Sequence, residues 1–82
     1  MTVRAWDYKE DEIVCEFYLA NQKVYRKLID ILMEKLADAG YGDRLKSAVL
    51  MRISNYKAIH LGKGLSNYAK QSKEVYDKLT SK

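Results

Sequence analysis

The chain contains no proline and only four glycines in 82 residues. Proline and glycine are the residues that most often interrupt helices and form the tight turns of β-sandwiches and barrels. A chain with so few of them favours helical segments over a turn-rich β-fold. Because 82 residues suffice for one hydrophobic core but not for two, we expect a single all-α domain over residues 1–82.

The spacing of apolar residues predicts four helices, over residues 8–20, 23–39, 44–59 and 73–80. Asp7, followed by Glu10, fits a capping box at the start of the first helix. Gly40 is placed to end the second helix in a left-handed conformation. Asp43 and Ser72 are the expected N-caps of the third and fourth helices.

Charge is unevenly divided along the chain. Residues 1–40 hold six Lys/Arg against eight Asp/Glu, a net charge of −2, whereas residues 41–82 hold nine against three, a net charge of +6. A basic half on a small domain is typical of proteins that bind a polyanion. A lysine-rich solubilising surface would show the same composition, and charge alone does not separate the two interpretations.

The predicted helix over 44–59 has two different faces. At 100° per residue, one side holds the apolar residues expected to face the core, Leu45, Val49, Ile53 and Tyr56. The other side holds Lys46, Ser47, Leu50, Ser54 and Lys57, with Arg52 and Asn55 among the flanking residues. Such an outward face can contact phosphates and base edges, and it is equally typical of a solvated helix.

Residue types that carry catalysis or bind metal are scarce. His60 and Cys15 are the only residues of their kind and lie in different predicted elements. The acidic residues at positions 7, 10, 11 and 12 surround one helical turn, where they complement the helix dipole. Gly62-Lys63-Gly64 lacks the rest of a phosphate-binding P-loop motif. We therefore expect no enzymatic activity, no cofactor, no metal and no small-molecule substrate.

The apolar runs are only a few residues long, far short of the roughly 20 that cross a bilayer. The N-terminal residues lack the apolar segment of a secretory signal. A single cysteine excludes an intramolecular disulfide. These features favour the cytoplasm and no membrane partner.

Two resemblances add to these expectations. Trp6, followed by Glu10, Asp11 and Glu12, resembles the opening of the three-helix Myb/SANT variant of the helix-turn-helix, although the other spaced tryptophans of that family are missing here. This resemblance implies a three-helix helix-turn-helix-like core, here followed by a C-terminal helix, with the third helix entering the DNA major groove.

The second resemblance covers residues 44–79, through Ser47-Ala48-Val49, Met51–Tyr56, Gly64–Asn67 and Lys70–Tyr76. These segments are similar to a small bacterial and phage domain that occurs alone or ahead of HNH-type or restriction-type nuclease domains. The resemblance implies DNA binding. Nuclease chemistry does not carry over, because the catalytic residues of the fused members lie in a part that this chain lacks.

The leading hypothesis is a non-enzymatic DNA-binding module that uses the basic helix 44–59 and the following Gly-Lys-Gly loop. Its predicted DNA contacts are Arg44, Lys46, Ser47, Arg52, Asn55, Lys57, Lys63 and Lys70. An alternative role for Arg52 and Asn55 is to brace the loop at 62–67. The alternative function is a protein-interaction or inhibitor module of phage or mobile-element origin that acts on a host protein, with homodimerisation compatible with either hypothesis.

Overall fold

A computed structural model of the protein describes residues 5–62 and 70–81. It contains four helices and no strand within that part of the chain: α1 Tyr8–Ala20, α2 Ile29–Asp38, α3 Lys46–Leu61 and α4 Lys70–Thr80. The all-α prediction is confirmed. Within the same residues, none of the helices combines the length and apolar character that a membrane crossing requires.

Helix α1 lies at the centre of the fold and contacts each of the other three helices. The core is formed by its inner face together with apolar residues of α2, α3, α4 and the segment before α2. The C-terminal helix α4 packs against both α1 and α3, and it places the fully buried Val75 in this core. The predicted C-terminal helix is therefore an integral part of the bundle.

The start of α1 follows the predicted capping box. The Asp7 backbone N–H donates to Glu10 Oε1 at 3.2 Å, and the Asp7 side chain accepts from the Glu10 backbone N–H. This reciprocal pair satisfies two of the backbone donors that the first turn of a helix leaves unpaired. The helix begins at Tyr8, where the sequence predicts it.

Helix α2 is shorter than the predicted helix over 23–39. Residues 22–28 form consecutive hydrogen-bonded turns, which we call the 22–28 turn. Tyr25 is buried there against Tyr18, with ring centroids 5.8 Å apart, while the neighbouring Val24 is 42% exposed. The apolar residues of this segment thus anchor a turn and do not extend the helix. Gly40, with φ of +95°, follows the helix end as predicted.

Helix α3 begins at Lys46, two residues later than predicted, and its N-cap is Leu45 and not Asp43. Leu45 is extended and 74% exposed, so its predicted inward position is wrong, whereas Val49, Ile53 and Tyr56 are fully buried as predicted.

Helix α3 ends at Leu61, and Gly62 follows in the left-handed conformation, with φ of +62°. Helix α4 begins at Lys70, so Ser72 lies inside it and is fully buried. The prediction that Ser72 caps this helix is wrong, because the helix starts two residues earlier.

Candidate nucleic-acid interface

Two of the predicted DNA contacts lie inside the molecule. Arg44 donates from Nε to Glu10 Oε2 at 2.7 Å and from a terminal nitrogen to Glu10 Oε1 at 3.3 Å. A further bond from the same terminal nitrogen reaches the Ala5 carbonyl at 3.0 Å. The Arg44 side chain is only 6% exposed, and that of Glu10 is fully buried. Arg44 therefore fixes the segment before α3 to the start of α1.

Arg52 forms a second bidentate pair, with the acidic residue that directly follows Glu10 on α1. Its Nε donates to Asp11 Oδ1 at 2.7 Å, and its terminal nitrogen donates to Asp11 Oδ2 at 2.6 Å. Fork-to-fork pairing of this kind is among the strongest polar contacts in proteins. The Arg52 side chain is 12% exposed and that of Asp11 is fully buried. This contact with α1 is neither of the predicted roles of Arg52, DNA contact or brace of the 62–67 loop, and residues 63–67 of that loop lie outside the described residues.

Asp11 receives donors from three side chains on two helices, α3 and α4. In addition to Arg52, Tyr56 Oη donates to Asp11 Oδ1 at 2.6 Å and Gln71 Nε2 donates to Asp11 Oδ2 at 2.6 Å. Gln71 also donates to the Trp6 carbonyl at 2.7 Å. One buried carboxylate on α1 thereby joins α3 and α4, and its four acceptor positions are well supplied with donors.

Trp6 lies against both guanidinium groups. The guanidinium carbon of Arg44 is 4.1 Å from the Trp6 ring centroid, and that of Arg52 is 5.0 Å away. Both distances are within the range of cation–π attraction. We call this set of seven side chains the buried network: Trp6, Glu10, Asp11, Arg44, Arg52, Tyr56 and Gln71.

The pKa shifts follow from this arrangement. Burial alone would lower the pKa of Arg52, but the hydrogen bonds and negative charge of Asp11 outweigh it and raise that pKa. Burial raises the pKa of Tyr56, and its hydrogen bond to Asp11 together with the charge of that carboxylate raises it further. Both groups are thus held in the protonation state that donates to Asp11.

The sequence contains a signal for this network. Explaining the acidic residues at the start of α1 by the helix dipole alone did not use it. Asp11 precedes Val14, Cys15 and Tyr18 at steps of three, four and seven, which places it on the buried stripe of α1. On α3, Arg52 lies three residues after Val49 and four before Tyr56, both of which are buried. An acidic and a basic residue that each lie on an apolar stripe indicate a buried pair, because neither could be buried alone.

Three further predicted contacts lie on the outer side of α3. Ser47 and Lys57 are exposed, and Lys46 is half-exposed, with Nζ 2.8 Å from Asp30 Oδ1. Lys46 and Lys57 are eleven residues apart, which places them about 20° apart around the helix and roughly 16 Å apart along it. We call the outer side the α3 face: Lys46, Ser47, Leu50, Met51, Ser54 and Lys57.

The remaining predicted contacts are dispersed. Asn55 is partly buried and donates from Nδ2 to the Met51 carbonyl at 3.2 Å, a bond within its own helix. Lys70 is exposed at the start of α4. Lys63, with most of the Gly-Lys-Gly loop and of the 62–67 segment, lies outside the described residues.

Ion pairs between the two halves of the chain neutralise much of the charge asymmetry seen in the sequence. Four cations of the second half pair with acids of the first half: Arg44 with Glu10, Lys46 with Asp30, Arg52 with Asp11, and Lys78 with Glu12. A fifth, Lys73, pairs with Asp77 in its own helix. The opposite charges of the two halves thus stabilise the fold, and they add less to the outer field than the sequence predicts.

The histidine and the cysteine occupy structural positions. His60 Nδ1 is 2.9 Å from the Tyr76 hydroxyl, a polar contact between the ends of α3 and α4. Cys15 is fully buried, and burial, with smaller effects from Asp11 and Glu16, raises its pKa to about 12. Residues 5–62 and 70–81 hold no group of three His, Cys, Asp or Glu side chains that could bind a metal ion.

Comparison with known proteins gives no match to the chain, whether to a family model, to a curated protein or to a solved structure.

Proposed function

We propose that the protein is a non-enzymatic DNA-binding module that contacts duplex DNA through the α3 face. The observation that carries the proposal is the charge of this helix: α3 contains no acidic residue over its sixteen positions, and its outer side exposes Lys57, Ser47 and Ser54 beside Lys46. The resemblance of residues 44–79 to a domain found ahead of nucleases supports the same function.

The dimensions of α3 suit a duplex. Sixteen residues form a helix about 24 Å long, and a helix of ordinary width enters a major groove that is about 12 Å wide. Phosphate contacts from Lys46 and Lys57 would orient the helix, and Ser47 is the small polar side chain closest to its exposed start. Lys70 at the start of α4 is a further candidate for a phosphate contact.

The ion pair of Lys46 does not prevent such a contact. Its partner Asp30 is 81% exposed, and exposed pairs contribute only about 0–1 kcal/mol. A DNA phosphate can therefore replace Asp30 at little cost. Arg44 and Arg52 differ, because removing either from its buried carboxylate would leave an uncompensated charge in the interior. The proposed interface excludes both arginines.

The test is a salt titration with duplex DNA by fluorescence anisotropy. Wild-type affinity should fall as salt rises, with a slope of log K against log salt of about −0.9 per phosphate contacted. Lys46→Gln/Lys57→Gln should reduce that slope by roughly 2. Lys9→Gln/Lys35→Gln removes the same charge from exposed positions on α1 and α2 and should change the slope much less. Absent binding at low salt, or binding that salt does not change, would overturn the proposal.

A second function, recognition of a protein, is favoured by apolar side chains around the same helix. Leu45 is 74% exposed, Met51 72% and Leu61 51%. A host protein, a phage protein or a second copy of the chain could cover them. Capture of a partner that survives nuclease treatment and is lost in Met51→Lys would favour this function over DNA binding. Sedimentation of the purified protein would reveal a homodimer directly.

Both functions agree with an intracellular site of action. The single cysteine and the DNA partner keep the cytoplasm as the predicted location.

A further inference from the structure

Among the described residues, the cations without an ion pair are concentrated where the sequence did not predict them. Of the seven Lys/Arg described in the second half, five are ion-paired, and only Lys57 and Lys70 are not. In the 22–28 turn, by contrast, Lys23, Arg26 and Lys27 are all exposed, and none of them forms an ion pair with a described residue. The acidic half of the sequence thus carries the densest group of unpaired cations.

The turn presents these cations in a fixed arrangement. The Val24 N–H donates to the Asn21 carbonyl at 3.1 Å and the Lys27 N–H to the Val24 carbonyl at 3.0 Å. Tyr25 anchors the turn in the core, and the Arg26 guanidinium carbon lies 5.9 Å from its ring centroid. A pre-ordered turn loses less conformational entropy when its side chains bind a ligand.

A chain of aromatic contacts joins this turn to the end of α3. Tyr25 contacts Tyr18 at 5.8 Å between ring centroids, and Tyr18 contacts His60 at 6.1 Å. His60 lies in the last turn of α3, three residues after Lys57. The 22–28 turn and the last turn of α3 therefore both contact the same residue of α1, Tyr18.

No acidic residue occurs in either segment that meets here. The acid-free stretches are residues 17–29, between Glu16 and Asp30, and residues 44–73, between Asp43 and Glu74. Within these two stretches no acid lies between the cations to weaken an attraction for a polyanion, and the nearest acid after the turn, Asp30, pairs with Lys46.

We propose that the 22–28 turn is a second phosphate-contacting element, in which Lys23, Arg26 and Lys27 bind the backbone of the same DNA duplex whose groove receives α3. This inference rests on the proposed function. In helix-turn-helix proteins one element enters the groove while another contacts the backbone and fixes the register. The turn fits the second role, because its three exposed cations lie in one short segment that contacts Tyr18, as the last turn of α3 also does.

The experiment compares three double variants with the wild-type chain by salt titration against one duplex: Lys23→Gln/Lys27→Gln, Lys46→Gln/Lys57→Gln and the control Lys9→Gln/Lys35→Gln. Each variant loses two positive charges from exposed or half-exposed positions, and Arg26 is kept because it packs on Tyr25. Circular dichroism and a thermal melt confirm that each variant is folded. The turn variant should lose roughly 2 from the salt slope, as the α3 variant does, and the control should lose clearly less.

The outcomes separate the two proposals. If the turn variant matches the control while the α3 variant loses affinity, the turn proposal is overturned and the α3 face stands. If both variants lose affinity, the turn proposal is supported. If only the turn variant loses affinity, the turn contacts DNA but the α3 face does not, which overturns the proposed function and with it the role of the turn as a second element. If wild-type protein fails to bind DNA at low salt, or if the turn variant gains affinity, the turn has no role in DNA binding.

Discussion

The buried network and the 22–28 turn hold their cations in opposite environments, one enclosed and the other exposed to solvent. In the buried network, Arg44 and Arg52 are largely enclosed, each paired with a fully buried carboxylate and packed against Trp6. In the 22–28 turn, Lys23 and Lys27 are exposed and form no ion pair with residues 5–62 or 70–81. The arginines belong to the half of the sequence that looks like a polyanion-binding surface, and the lysines belong to the half that does not.

The difference shows that net charge along a sequence is a poor guide to net charge on a surface. A cation on an apolar helical stripe is drawn inward with its acid, because burying either charge alone would cost far more than burying the pair. A cation in a turn without nearby acids remains available. Four measurements test whether buried and exposed charges differ in this way.

The largest effect is expected from Asp11→Ala. The change leaves Arg52, Tyr56 and Gln71 without their shared acceptor, with one buried positive charge unpaired, and should destabilise the fold by about 3–5 kcal/mol. A domain of this size has a total stability of roughly 4–12 kcal/mol, so partial or complete unfolding by circular dichroism is expected. Asp38→Ala removes an exposed carboxylate from α2 and should leave the urea midpoint nearly unchanged. Equal effects of the two variants would mean that the network does not support the fold.

A smaller loss is expected from Tyr56→Phe. It removes one hydrogen bond to a charged group and keeps the ring in the core, which should lower the free energy of unfolding by about 1.5–3 kcal/mol. The matched control is Tyr8→Phe, whose ring is 38% exposed, with an expected change within about 0.5 kcal/mol. A value for Tyr56→Phe no larger than that of the control would remove this residue from the network.

Alkaline pH should weaken the fold. Burial raises the pKa of Cys15 from 9.0 to about 12, and burial and Asp11 raise the pKa of Tyr56 from 10.0. The unfolded chain therefore loses these protons at a lower pH than the folded state does, so the folded state binds more protons above about pH 9. The contribution of the two groups to the free energy of unfolding is fully present below that pH and falls as pH rises. Each group contributes a slope of about 1.4 kcal/mol per pH unit. Urea unfolding between pH 7 and 11 measures the fall, and Cys15→Ala should move its onset toward pH 10. Stability that stays level to pH 11 would contradict the burial of both groups.

The smallest effect is expected at the exposed pair of Lys46 and Asp30. Asp30→Asn should change the free energy of unfolding by no more than about 1 kcal/mol, and 0.5 M salt should abolish most of the difference. A loss as large as that of Asp11→Ala would show that exposed and buried pairs contribute alike, which would remove the contrast between the two kinds of cation.

Much of the local structure was predictable, because its causes lie within a few residues. The capping box of Asp7 and Glu10 and the left-handed Gly40 each depend on neighbouring backbone groups and occur as predicted. The 22–28 turn was not predicted, because its apolar residues fit a helical stripe as well as a turn anchored by Tyr25. Only the contact with Tyr18, across the fold, separates the two.

The candidate site was harder to predict for a related reason. Arg44 and Arg52 have the residue type that DNA contacts require. Their buried ion pairs were not predicted, because the partners, Glu10 and Asp11, lie 34 and 41 positions earlier in the chain. Partners at that distance leave no local pattern. The exposed positions of Ser47 and Lys57 followed from helical periodicity, which is a local property.

The central claim, that the acidic and basic halves are joined by buried charge pairs, is tested most directly by a double-mutant cycle on Arg52 and Asp11. The variants are Arg52→Met, Asp11→Leu and the two together, unfolded by urea with sucrose present to keep the single variants folded. We expect a coupling energy of at least about 1.5 kcal/mol, with the double variant more stable than the sum of the single losses implies. Additive losses, within about 0.5 kcal/mol, would contradict it.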